Sequence, residues 1–465
     1  MNLLIKNSLW LSAAPFLPKL MGIMLLPIMT KHLSETDFGI AGTISAYINI
    51  IGAFNFLGLG IVLQNSFFNY PNRFKFVWSQ VAGILRIWMI IYSLGQAFLL
   101  SAIIPDIAVG NRNIIIFLTI LPNVLFGPIT LIGESYLIYS KKSFQLVWRS
   151  VLSGFITVAI TFICIVYFEI GYLGWYFGTC AGSIFLCFSY LNIIIYDLSI
   201  KSIYKFRRRS IKKYFNISLP AIPHYYSIYL QEGSGRMLLD QNRVSKMEIG
   251  RISMVQQFGD MFLMGISGLN NAFSPFLLQC IKEDSQDKMR KLGLILIVFI
   301  FALAFLFSLW SKEVLDFFIS IDSMKSAYYI FIVYIMGICY RPLYYIISLY
   351  YFFYERTPQL LYLSFISGLL GLIFYYFFIP RIGIWAIPVG YYLSSLYFGY
   401  FGFLYRTYRE NVSKKLPFLK LLFIQVLLTI LALLFVNNFK VKVVLSVLTF
   451  VIVVYALNKL KHAVQ

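Results

Sequence analysis

The chain has 465 residues, of which 60% are apolar, 18% aromatic and only 12% charged. A soluble domain carries about a quarter of its residues as charged side chains, so a water-facing globular protein of this size is excluded, and so is a disordered one. At about 20 residues per span, the apolar material makes roughly 14 transmembrane helices. The expected fold is an all-α polytopic membrane protein.

Taken in chain order, apolar runs of helix length fall near 8–30, 38–65, 77–104, 113–138, 144–168 and 170–196. After a basic segment at 197–214 they resume near 215–238, 248–275, 291–310, 325–352, 357–379, 382–405, 418–436 and 441–459. A β-barrel would alternate with period two, and stretches such as Ile295–Phe307 do not. Met1–Trp10 carries a single Lys and no small-residue cleavage site follows, so the N-terminus reads as the start of the first span. Cys164, Cys180, Cys187, Cys280 and Cys339 lie in apolar stretches without a C-x-x-C pair and read as small buried hydrophobes.

The net charge of +21 comes from 39 Lys+Arg against 18 Asp+Glu. An even number of spans puts both termini on one side, which holds about 25 of these cations against about 10 on the other. The densest cluster is Lys201, Lys205, Arg207, Arg208, Arg209, Lys212 and Lys213. The positive-inside rule therefore places both termini and this segment in the cytoplasm. The charge is topology, and no nucleic-acid partner is needed. No connection on the far side exceeds about 15 residues, the longest running from Ser311 to about Met324.

The first span reads Ser12-Ala-Ala-Pro15-Phe-Leu-Pro18-Lys19, and the seventh reads Ser218-Leu-Pro220-Ala-Ile-Pro223-His224. Glu35-Thr-Asp37-Phe38-Gly39-Ile40 opens the second span, and Lys246-Met-Glu248-Ile249-Gly250-Arg251 opens the eighth. These pairs suggest an internal repeat whose halves share orientation, with a site between them. The expected organisation is an N-terminal six-helix lobe (1–196), a basic cytoplasmic linker (197–214), a C-terminal six-helix lobe (215–410) around a central cavity, and two additional transmembrane helices (411–465).

The run N-S-L-W…P-x-x-P-K…L-P-I-M-T-K-H-L-S-E-T-D-F-G, followed by Gly58-Leu59-Gly60, resembles the opening of Wzx-type polysaccharide flippases of the MOP superfamily. The segment L-P-A-I-P-H…S-G-R-M-L-L…E-I-G-R-I-S is similar to their second half. The resemblance leaves Lys414 to Gln465 unmatched, and Gly235-Arg236 stands where that family often has Asp-Arg. It implies a bacterial inner-membrane protein of O-antigen or related polysaccharide assembly, working beside other membrane proteins of that process.

Enzymatic signatures are missing. No Gly-Lys dipeptide exists, so there is no phosphate-binding loop. His32, His224 and His462 match no metal-ligand spacing, and no D-x-D pair marks a nucleotide-sugar site. The chain reads as a non-enzyme without cofactors or metals.

Ionisable groups inside spans are costly and face a wet cavity or a partner. Four cations qualify: Lys19, Arg86, Arg236 and Arg341. Glu232 lies one turn before Arg236, within reach of an intrahelical pair. Polar stripes run through Asn49 and Asn55, through Asn123 to Glu134, through His224 and Gln231, and through Gln256 and Asn271. A diphosphate-linked lipid wants Arg and Lys, since Arg meets phosphate bidentately. The expected substrate is thus an undecaprenyl-diphosphate-linked oligosaccharide, moved from the inner to the outer leaflet by alternating access. Lys19, Arg86, Arg236 and Arg341 would bind the head group, its polyprenyl tail staying in membrane lipid. The stripe residues would line the cavity, and Asp260 or Glu232 would bind a coupling H⁺ or Na⁺. The rival readings are a multidrug or cation antiporter of the same superfamily and a membrane polysaccharide polymerase or ligase.

Overall fold

The structure, a computed structural model, describes residues 17, 20–52, 54–219, 222–354, 356–413 and 415–464. Among the described residues the chain is helical throughout, with no strand. It divides into two compact units, Met1–Tyr229 and Leu230–Gln465.

The first unit holds α1 (Leu26–Met29), α2 (Glu35–Gly52), α3 (Gly60–Asn69), α4 (Phe74–Ile103), α5 (Arg112–Tyr139), α6 (Ser143–Val166), α7 (Leu173–Asn192) and α8 (Arg208–Ser218). α9 (Ile222–Glu232) carries the chain into the second unit. There follow α10 (Ser234–Gln241), α11 (Lys246–Lys282), α12 (Gln286–Leu309), α13 (Ser311–Phe318), α14 (Asp322–Lys325), α15 (Tyr328–Ile338) and α16 (Arg341–Phe353). The chain ends with α17 (Thr357–Ile382), α18 (Ala386–Tyr400), α19 (Arg406–Asn411), α20 (Phe418–Phe435) and α21 (Phe439–Val464). Among the described residues eight helical stretches are long and apolar enough to cross a membrane. A polytopic, all-α membrane protein is thus what the sequence builds.

Three apolar runs that read as single spans are interrupted. The run 38–65 turns between α2 and α3, where Leu57 and Gly58 have positive φ. The run 215–238 breaks at Gly233, between α9 and α10. The run 325–352 breaks at Cys339 and Tyr340, because Pro342 in the first turn of α16 has no N–H to continue the ladder from α15.

The paired motifs at the starts of α2 and α11 have the same local job. Asp37 accepts from the Ser34 N–H at 2.8 Å, and the Ser34 hydroxyl accepts from the Asp37 N–H at 3.2 Å. Likewise the Ser245 hydroxyl accepts from the Glu248 N–H at 3.3 Å. Both are S-x-x-[DE] capping boxes, satisfying N–H groups that a helix start leaves open. Asp37 does more, accepting also from the Tyr172 N–H at 3.1 Å and so tying α2 to the start of α7.

In the first unit the core gathers around Trp78, Leu85, Ile132 and Tyr190. The Trp78 indole donates to the Leu63 carbonyl and the Ser66 hydroxyl, at 3.1 and 3.0 Å. In the second unit α21 packs along α12, where Lys442 donates to both carboxylate oxygens of Glu313 at 2.7 Å.

Candidate functional site

The second unit gathers its polar groups at two helix breaks. Arg341 is the first residue of α16, immediately after the interruption of the 328–353 stretch. Glu232 is the last residue of α9, immediately before Gly233. An interrupted helix leaves carbonyls and N–H groups without intrahelical partners, and lipid supplies none. Here side chains supply them. The Gln256 amide donates to the Glu232 carbonyl at 2.9 Å, and the Tyr375 hydroxyl donates to the Gln231 carbonyl at 2.9 Å.

The breaks also bring charge together. Arg341, 7% exposed, donates to the Glu232 carboxylate at 2.5 Å and to the Gln231 side-chain oxygen at 3.3 Å. Its guanidinium carbon stands 5.0 Å from the Phe398 ring centre. Gln231 in turn donates to the hydroxyls of Ser394 and Ser395 at 3.3 and 3.0 Å. Nearby the Tyr334 and Tyr391 rings stack at 4.3 Å, and Ser267 shares a hydrogen bond with Tyr345 at 3.1 Å. Two buried atoms of this cluster have no hydrogen-bond partner among the described residues: Nε of Arg341 and Oε1 of Gln256. The arrangement offers a planar cation, an amide and hydroxyls around a carboxylate, which is chemistry for holding an anion and for handling a cation.

Four expected site residues, Gln231, Glu232, Gln256 and Arg341, therefore share one cluster. Glu232 pairs with Arg341 from a distant helix, and Gly233 interrupts the helix between Glu232 and Arg236. Arg236 is half-buried on α10, and Asp260 is half-buried on α11, one residue after Gly259, which packs closely on the Tyr334 ring. In the first unit Arg86 is exposed on α4, Asn49 is exposed on α2, and Asn55 lies in the turn after α2. No hydrogen bond joins these three among the described residues. The Asn55 carbonyl accepts from the Trp88 indole at 3.1 Å, while its buried side-chain oxygen has no partner among the described residues. Lys19 and the side chains of His224 and Asn271 lie outside the described residues.

Several participants escape a reading of stripes. Tyr375, Ser394, Ser395 and Phe398 come from α17 and α18, whose runs carry no charge near their middles. In the first unit Gln96, fully buried, accepts from Asn123 at 3.1 Å. The sequence signal in each case is a polar group amid an apolar run, which marks a bond without naming its partner.

No protein-family model and no curated protein matches the sequence significantly. Solved structures do match. The lipid II flippase MurJ in an inward closed conformation superposes with a TM-score of 0.73 at 16% identity, over 97% of this chain and 98% of that one. An inward-facing multidrug resistance MATE family transporter of the MOP superfamily gives 0.61 at 12% identity, over 89% of this chain and 95% of that one. An outward-facing structure of such a transporter gives 0.61 at 14%, over 88% and 96%. The fold is the one that MurJ and MATE proteins share. Within that fold, Gly235 has a packing role: a Cβ there would stand 2.5 Å from the Ile387 δ-methyl. A side chain there would have to shift the flexible end of Ile387 on α18.

Proposed function

We propose that this chain is a lipid-linked oligosaccharide flippase, moving an undecaprenyl-diphosphate-linked repeat unit between leaflets of the bacterial inner membrane by alternating access. The observation that carries the reading is the Arg341–Glu232 pair at two facing helix breaks, surrounded by Gln231, Gln256, Ser394 and Ser395. Discontinuous helices are where transporters of related design hold substrates and ions. A diphosphate competing for Arg341 would leave the Glu232 carboxylate to bind a proton or Na⁺, which links substrate loading to a coupling ion. Amides and serines suit sugar hydroxyls. The chain does no covalent chemistry and needs no cofactor in this reading; lipid and other polysaccharide-assembly proteins are its partners.

The alternative is a multidrug or cation antiporter, as the MATE likeness suggests. It is disfavoured because the cluster's carboxylate is already engaged by a buried Arg, and because the MurJ match takes in 97% of the chain against 89% for the MATE transporter. The test is expression in a strain lacking its own polysaccharide flippase, with surface polysaccharide and membrane protein level as readouts. Restored polysaccharide supports the proposal, and Lys19→Ala should then abolish export while Lys19→Arg keeps much of it. Drug resistance in an efflux-deficient strain, without restored polysaccharide, would reverse the assignment.

A further inference from the structure

The basic segment 197–214 is docked against the first unit. The Ile203 N–H donates to the Ser79 carbonyl at 3.0 Å. Gly83 on α4 permits this approach, since a Cβ there would overlap the Ile203 carbonyl. Phe206 packs on the buried core around Trp78.

Between this segment and the start of α4 lies a cavity of about 570 Å³, lined by Phe76, Gln80, Lys205, Phe206, Arg207 and Ser210. Gln80 is 5% exposed, and its side-chain oxygen accepts from the Tyr214 hydroxyl at 2.7 Å. That bond fixes the amide, whose nitrogen makes no hydrogen bond among the described residues. Arg207 is the N-cap of α8 and gives it no side-chain cap, so the first N–H groups of that helix are open as well. Lys205 and Arg207 are exposed and have no ion-pair partner among the described residues. Asp197, the acid nearest in sequence, is taken up by Lys142 at 3.4 Å, and its carbonyl by Lys75 at 3.3 Å.

The charged and amide side chains that line this space are donors: an ammonium, a guanidinium and a fixed amide N–H, beside a serine hydroxyl and a helix N-terminus. Such a set suits a multiply accepting anion, and phosphate above all. The space is larger than a free phosphate needs, and Phe76 and Phe206 make its walls apolar. It also opens at the first turns of α4, the end of a membrane-length helix. We propose that this cavity binds the phosphate headgroup of an anionic phospholipid from the adjoining leaflet, anchoring the basic segment to the membrane surface.

The test uses the purified full-length chain in mixed micelles, titrated with phosphatidylglycerol, phosphatidylcholine and inorganic phosphate, with bound lipid counted by native mass spectrometry. Saturable binding of phosphatidylglycerol over phosphatidylcholine is expected. The double variant Lys205→Gln/Arg207→Gln should weaken it about thirtyfold, from the usual gain of about 1 kcal/mol per basic residue at an anionic surface. Gln80→Glu should weaken it comparably, since a carboxylate still accepts from Tyr214 but repels phosphate. The charge-matched Arg209→Gln/Lys212→Gln, outside the cavity lining, should weaken binding several-fold less than the Lys205→Gln/Arg207→Gln pair. Equal loss in both double variants would mean diffuse surface charge and overturn the proposal. Inorganic phosphate binding as tightly as phosphatidylglycerol would overturn the lipid assignment. None of these readouts depends on transport, so they stand apart from the flippase reading.

Discussion

Arg341 and Glu232 lie 109 positions apart in the chain, yet the guanidinium donates to the carboxylate where both of their helices are interrupted. The pair is mostly buried, and a buried pair is weak evidence for stability but strong evidence of cost when one partner is removed. It is also the place where a competing anion would act first.

Arg341→Ala should reduce transport at least tenfold, from the loss of a charge-assisted contact. It should also lower the thermal midpoint, since it leaves Glu232 without its cation. Arg341→Met/Glu232→Met separates the two effects. If the pair only holds helices together, the double variant should recover both stability and transport. If Arg341 meets substrate or Glu232 binds the coupling ion, stability should return and transport should not. Surface polysaccharide normalised to protein level in the membrane decides between them.

How far the sequence speaks is clear from these same residues. Arg341 and Glu232 stand out because an ionisable group within an apolar run demands an explanation. Their pairing does not, because spacing along one chain reports only neighbours on the same helix, and it nominated Arg236 for Glu232. Gly233 interrupts the helix between those two, and no local pattern announces that α16 will bring Arg341 to Glu232. The segments from Glu35 and from Lys246 read as span openings, and the S-x-x-[DE] caps that start them at Ser34 and Ser245 are a local signal that this reading passes over. The basic segment reads as a cytoplasmic linker, because its two anchors, Ile203 and Phe206, lie in the short run Lys201-Ser-Ile-Tyr-Lys-Phe-Arg207, which carries no apolar stretch of its own.

Asp37→Ala should cost about 1–2 kcal/mol, the range for losing a cap together with a second buried backbone contact. Asp37 accepts from Ser34 in its own capping box and from the Tyr172 N–H at the start of α7. Asp37→Asn, which keeps an acceptor oxygen, should lose less than half as much. Thermal midpoints in detergent, compared with Glu248→Ala in the second box, provide the measure.

Gly83→Val should release the basic segment without unfolding the unit. The side chain would enter the space occupied by the Ile203 carbonyl and press on Phe206, while α4 itself tolerates Val at modest cost. Trypsin should then cut at Lys205–Lys213 at least several-fold faster than in the parent chain. Unchanged cleavage would mean that the segment is held by contacts other than the one at Gly83.

Lys442 and Glu313 make a sharper, asymmetric prediction about the last two helices. Lys442 is 1% exposed at the start of α21, whereas the side chain of Glu313 on α13 is 43% exposed. The ammonium also lies 5.4 Å from the Trp310 ring centre, and the Trp310 indole donates to Ser446 at 2.9 Å. Removing the carboxylate strands a buried ammonium, while removing the ammonium leaves a carboxylate that water can reach. Glu313→Ala should therefore destabilise the chain by about 3 kcal/mol, the lower end of the cost of stranding a buried charge, since Glu313 is partly exposed. Lys442→Met, which fills the same space with an apolar chain, should cost much less. Thermal unfolding in detergent would show the order. The reverse order, with Lys442→Met the more damaging, would mean that the ammonium's contacts with Trp310 hold α21 in place more than the ion pair does.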